Sequence, residues 1–270
     1  MEHFKVLSIG DNCVDYYREM DLRFPGGNAL NVAVYSSRFS GVKSNYVGVI
    51  GTDNNGDFIK DQITKEGLST SYLIRKEGET AVTVILLRGG DRVFESYLEG
   101  VQAEVVYPTD LVDLPKSYDL VHFTVWGFGR ELVKDLSNGG KPLLSCDFSG
   151  QVNDPRTDIM KHLDYSFFSG SELIRKGVDL TKTLRELKEM TPGVVVMTLG
   201  SHGSVATDGE NYYSEEAAPT EVVDTLGAGD SYIASFLVKR LRGDSIPDSM
   251  RAGHRSAAEV CRRLGAWGGG

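Results

Sequence analysis

Short apolar runs separated by longer amphipathic stretches dominate this chain, and that alternation admits few folds. Phe4–Ile9 reads as a strand, and Asn28–Phe39 as a helix with Leu30, Val34 and Ser37 at the spacing of one face. Asn45–Ile50 is the next strand and Gly56–Glu66 the next helix. Further strands are predicted at Leu120–Phe123, Leu143–Cys146, Tyr165–Phe168 and Val194–Thr198, with helices near Gly129–Asn138 and Leu180–Met190. Strands that alternate with helices are joined by crossovers, so the predicted fold class is α/β, a mostly parallel sheet flanked by helices. No linker, repeat or low-complexity segment interrupts the succession, and residues 1–270 read as one domain.

Two segments break the alternation. Thr80–Leu87 and Arg92–Leu98 are β-rich runs joined by Gly89-Gly90-Asp91, a hairpin signal standing where a helix is due. Residues 12–25 add an irregular, tyrosine-containing stretch between the first strand and the first helix. Two insertions at one end of a sheet would form a small β lid, near 12–25 and 78–100. A surface hairpin with no role in a site would give the same pattern.

Charge and cysteine usage exclude several classes. A net charge of −9, from 38 acidic and 29 basic side chains, leaves no broad basic footprint for nucleic acid. It leaves open a small anionic ligand, which a few amides can hold. Cys13, Cys146 and Cys261 are odd in number, scattered and outside zinc spacing, and read as small buried apolar residues. No apolar run approaches the ~18 residues of a membrane span, and the first residues read as a strand rather than a leader. The expectation is a cytoplasmic protein without membrane partners.

Chemistry concentrates in Asp224-Thr225-Leu226-Gly227-Ala228-Gly229-Asp230, which runs straight into the helical stretch Ser231–Leu241. Small residues entering a helix leave N–H groups pointing outward at the positive end of its dipole, which makes an anion site. Gly227 and Gly229 let the backbone approach a phosphate, and Ala228 adds no bulk. Asp230, in the first turn, could then accept the proton of an attacking hydroxyl while the amides stabilise phosphoryl oxygens. An acidic cap on a glycine-rich turn would need the same residues without any function. No GxxxxGK[ST] occurs, and the GxG at 227–229 lacks the third glycine of a dinucleotide fingerprint.

The unbroken D-T-x-G-A-G-D resembles the C-terminal signature of the ribokinase-like (PfkB) carbohydrate kinases. Gly26-Gly27-Asn28-Ala29-Leu30-Asn31 is similar to the family's N-terminal signature, and Gly10-Asp11-Asn12-Cys13-Val14-Asp15 to the end of its first strand. The resemblance implies a three-layer α/β/α ribokinase-like fold with a small β lid. It implies ATP and Mg²⁺ as cofactors, a sugar as substrate, and a homodimer formed through the lid. Asp11, Asp15, Gly26, Gly27, Asn28 and Asn31 would line the sugar pocket, although capping would also account for Asn28 and Asn31. Thr198, Gly200, Gly203 and Thr225 would surround ATP, and His254 would face the adenine or, equally, be an exposed helix residue. The family's N-x-x-E metal motif aligns with Ser169-Gly170-Ser171-Glu172, so Glu172 keeps a metal-organising role and the asparagine is lost; Asp147 is a second acidic candidate, or a cap. Potassium near Asp224 is implied by the family alone.

Within the family, further segments resemble the bacterial fructosamine-kinase branch: Asp91-Arg92-Val93-Phe94 with Tyr97 and Glu99-Gly100, Tyr118–His122 with Trp126-Gly127, Asp147-Phe148-Ser149, and Gly265-Ala266-Trp267. An acceptor of that branch carries an amino-acid arm. Arg92 could pair with its carboxylate and Glu99 with an ammonium, or the two could form a solvated cross-strand pair. A family member acting on another sugar or a nucleoside, and a catalytically silent sensor on the same fold, remain alternatives.

Overall fold

The computed structural model describes residues 3–88 and 91–268, of residues 87, 88, 91 and 92 only the backbone. The strands are β1 (Phe4–Ile9), β2 (Cys13–Tyr17), β3 (Leu22–Gly26), β4 (Val42–Ile50), β5 (Leu73–Arg75), β6 (Val82–Arg88), β7 (Asp91–Leu98), β8 (Leu120–Thr124), β9 (Leu143–Asp147), β10 (Tyr165–Ser169), β11 (Val194–Thr198), β12 (Ser204–Thr207) and β13 (Tyr212–Glu215). The helices are α1 (Asn28–Ser37), α2 (Asn54–Lys65), α3 (Val133–Leu136), α4 (Ser171–Arg175), α5 (Leu180–Glu189), α6 (Ala228–Leu241) and α7 (Ile246–Val260). Nine of the described strands form one sheet in the order β13-β12-β11-β10-β9-β8-β1-β4-β5. It is parallel from β5 to β11, and β12 and β13 close one edge antiparallel.

Alternation along the strands divides the core. Val6, Leu120 and Phe167 face a layer built from α1, α2, α6 and α7. Leu7, Ile9, Val121 and Phe168 face the opposite layer, where α3 and α5 pack. Because both faces are covered, the central strands are apolar almost throughout. Helix starts are set locally: Asp53, Asp179 and Ser245 each accept a first-turn N–H, of Gly56, Lys182 and Asp248. The architecture is the expected three-layer α/β/α fold.

The second sheet has the order β3-β2-β6-β7. The expected hairpin is β6 and β7, but residues 12–25 are not irregular: they form β2 and β3, antiparallel to each other, with β2 parallel to β6. Local pattern misses this because β3 holds Arg23 and Pro25, and β2 gains its neighbour β6 from some 70 residues further along the chain. The lid continues from the C-terminal end of β1, where the ends of the parallel strands and the N-terminus of α6 also gather. Phe94, Tyr97, Leu98 and Leu22 leave apolar surface exposed on it. Cys13, Cys146 and Cys261 are buried, as expected. Among the described residues no helix is long and apolar enough to cross a membrane.

Candidate active site

The loop before α6 is held from beneath by Asp224. Its Oδ1 accepts the N–H of Leu226 at 3.0 Å, and its Oδ2 accepts the N–H of Gly265 at 2.9 Å and the Tyr17 hydroxyl. One buried carboxylate thus joins the lid, the loop and the C-terminal segment, and Asp224, where potassium was expected, holds protein donors. Gly227 turns the chain into the helix at φ +74°, and a Cβ there would stand 2.6 Å from the Cβ of Ala266 and 2.9 Å from the Tyr35 hydroxyl. Only glycine meets both demands. At Gly229 the reverse holds, since a Cβ would meet nothing within 4 Å. Its bare face opens on a space bounded by first-turn N–H groups, the cradle an anionic group requires.

That space opens into a cleft of about 620 Å³. Thr198, Gly200, Gly203, Thr225 and His254, chosen from sequence for ATP, all line it together with Ala228 and Gly229. Val222, Ala257 and Tyr232 add apolar surface to the lining. A polyanion at the helix start and a flat base against apolar side chains would match this composition. His254 is buried rather than exposed: its Nε2 and the Ser204 hydroxyl share a hydrogen bond of 2.8 Å, and its ring meets Tyr232 edge-on at 5.0 Å. Burial holds its pKa below the usual imidazole value.

Asp230 points away from this cleft into a second cluster. Its Oδ2 accepts the Asn31 Nδ2–H at 2.7 Å, and Asn31 Oδ1 accepts the indole N–H of the fully buried Trp267 at 2.6 Å. Because the indole can only donate, it fixes which end of the Asn31 amide faces Asp230. Burial raises the Asp230 pKa well above its ordinary value; the Asn31 hydrogen bond opposes this, and the charges of Asp147, Asp11 and Asp15 add to it. The start of α6 is therefore a wall, with Gly229 facing the anion cradle and the Asp230 carboxylate facing a group of acids.

In that group Asn28 Nδ2 donates to Asp147 Oδ2 at 2.8 Å. The diglycine is demanded by packing, because a Cβ on Gly26 would lie 1.9 Å from Asp15 Oδ2 and one on Gly27 2.3 Å from the Asn12 Cα. Three acids expected in the site already have partners in the protein. Asp11, expected to meet a sugar hydroxyl, accepts the N–H groups of Asn28 (2.7 Å) and Ala29 (3.3 Å) and the Thr124 hydroxyl (2.5 Å), and so anchors the start of α1. Glu172, expected to organise a metal, stands exposed on α4, paired with Lys176 one turn away at 2.7 Å. Asp147, the second metal candidate, accepts from Asn28 on the side that Asp230 faces. Among the described residues no three His, Cys, Asp or Glu side chains converge as a metal cage. Glu99 is exposed at the end of β7, and the side chain of Arg92 lies outside the described residues.

Sequence reasoning missed the groups that position these side chains. Thr124, Tyr17 and Trp267 each act on an acid or amide more than 100 residues away, at separations of 113, 207 and 236 residues. Ser149, named only as part of the Asp147-Phe148-Ser149 segment, takes a left-handed φ of 52° beside Asp147, a conformation that Asn, Asp or Gly more often supplies.

Comparison with known proteins agrees with this geometry. Residues 18–268 match the model of the pfkB family carbohydrate kinases. The chain is 36% identical over 263 residues to fructoselysine 6-kinase of Shigella flexneri, covering 97% of this chain and 99% of that protein. It is 33% identical to a fructosamine kinase of Bacillus subtilis, over 98% of this chain and 94% of the other. In fold it superposes on Arabidopsis thaliana ribokinase, solved with ribose and ATP, with a TM-score of 0.81 at 20% identity, covering 98% of this chain and 95% of that one. Family, fold and the cleft beside the start of α6 agree: the chain belongs to the pfkB family and is an ATP-dependent carbohydrate kinase.

Proposed function

We propose that this kinase transfers the γ-phosphoryl group of MgATP to the 6-hydroxyl of fructoselysine, giving fructoselysine 6-phosphate and ADP. The observation that carries the chemistry is the placement of Asp230, one residue beyond the anion cradle and facing the acceptor-side acids. The C6 oxygen forms its bond to the γ-phosphorus as the bond to the β,γ-bridging oxygen breaks, and the hydroxyl proton passes to Asp230. A carboxylate whose pKa is raised by burial is a better proton acceptor near neutral pH than an exposed one. The amides at Gly227, Ala228 and Gly229 stabilise charge on the transferring group. Thr198, Gly200, Gly203 and Thr225 hold the nucleotide, and its base lies against the apolar lining near His254. Magnesium enters with the nucleotide as part of the substrate. Asn28, Asn31, Asp15 and Asp147 orient the sugar hydroxyls. The ketoamine acceptor is supported by the near full-length identity to enzymes so named.

The exposed apolar face of the lid supports a homodimer formed through it. The test of the reaction is ADP release with Mg²⁺ and ATP across fructoselysine, fructose, ribose and adenosine. Preferential turnover of fructoselysine, lost in Asp230→Asn with nucleotide still bound, is expected. Preferential turnover of another acceptor keeps the chemistry and removes the ketoamine. Nucleotide binding with no turnover of any acceptor removes the kinase reading.

A further inference from the structure

Trp126 follows β8 at the end of the sheet where the acids gather, and it is 44% exposed. An aromatic ring left that open is usually mobile, yet this one is fixed on two sides. Its Nε1–H donates to Ser149 Oγ at 3.1 Å. The same oxygen is 3.3 Å from Asn28 Nδ2, and the Ser149 N–H is held by Asp147 Oδ1 at 2.8 Å. The Arg156 guanidinium lies 5.5 Å from the ring centroid, and is itself locked by a forked pair with Asp154 and by the Val125 carbonyl at 2.8 Å. The indole is thus a rigid half-open plate, tied through Ser149 to the Asn28–Asp147 pair.

We infer that the open part of Trp126 is the platform on which the part of the acceptor beyond its sugar lies, and that it contributes to acceptor choice. Running outward from Asp147, hydrogen-bonding groups give way at Ser149 to an apolar plane. A sugar can use the former, and a methylene chain gains from the latter. The ring is ordered before the ligand arrives, so binding spends little entropy on fixing it. The inference rests on the proposed ketoamine acceptor, whose arm is such a chain.

The chain has two tryptophans, so the emission lost in Trp126→Phe reports Trp126 alone against Trp267. Without ATP, fructoselysine should change that component and fructose should leave it nearly unaltered. In turnover, Trp126→Ala should lower the ratio of kcat/KM for fructoselysine to that for fructose by roughly tenfold. Trp126→Phe, which keeps an apolar plane but loses the N–H, should retain most of the ratio. Emission indifferent to fructoselysine, or a ratio within twofold of wild type in a folded Trp126→Ala, overturns the platform. A wild-type enzyme without preference for fructoselysine refutes the substrate reading instead, and the emission titration still decides whether the arm reaches Trp126.

Discussion

Replacing Asn31 by leucine removes the hydrogen bond that favours the charged form of Asp230 while roughly keeping side-chain volume. The bond is 2.7 Å from Nδ2 to Oδ2 in a buried setting, and a hydrogen bond to a charged group is worth about 1.5–3 kcal/mol. Burial and the charges of Asp147, Asp11 and Asp15 would then act unopposed, and all of them raise the pKa. Where ionisation of Asp230 limits the rate, the ionised fraction and kcat should fall by about 10- to 150-fold, the same free energy expressed as a ratio. At higher pH the carboxylate ionises in both proteins, so the deficit should shrink. The assay is coupled ADP release at saturating ATP and acceptor, from acid to alkaline pH, well below the melting temperature because the Trp267 indole also loses its acceptor. An acid limb displaced to higher pH supports the reasoning. A deficit of equal size at every pH would refute it, since the amide would then position substrate rather than tune the base.

Asp230→Asn should lower kcat by about 100-fold or more, the usual share of a general base. It should also stabilise the fold: a folded pKa raised above the ordinary 3.8 makes ionisation at neutral pH a native-state penalty, present above the folded pKa and lost as pH falls toward 3.8. Scanning calorimetry should find the variant melting higher near pH 7.5, with the gap closing in acid, and a variant melting lower would contradict this. Gly229→Ala has free space around the new methyl and gains about 0.8–1 kcal/mol of helix propensity, so it should melt no lower than wild type while its KM for ATP rises about tenfold or more. An unchanged KM would show that phosphates do not approach this residue. Phe94→Glu puts a charge on the exposed lid face, so sedimentation should show a dimer turning to monomer; a wild-type monomer at assay concentration would end the dimer proposal.

Two kinds of information can be separated by particular residues. β1 and β11 occupy the spans predicted from sequence, and α5 ends within one residue, because their burial pattern and caps are encoded within a few neighbouring residues. The glycine loop before α6 was legible for the same reason, since Gly227 and Gly229 shape it through local backbone geometry. Lid strands β2 and β3 were not, because their pairing with β6 is non-local and their composition is weakly β. Asp11 and Glu172 show the limit most clearly. Residue type suggests a hydroxyl ligand and a metal ligand, and only the assembled chain shows which protein groups each carboxylate also meets: the start of α1 in one case, Lys176 in the other. The layered α/β architecture, the glycine loop before α6 and Asp230 as the candidate base could be read from the sequence, because each is written in short-range periodicity or in one contiguous motif. Tertiary packing sets the orientation of the Asp230 carboxylate, through Trp267 and Asn31, and the divide at the start of α6 between the cleft and the acidic group, because such contacts exist only once residues about 200 positions apart are packed together.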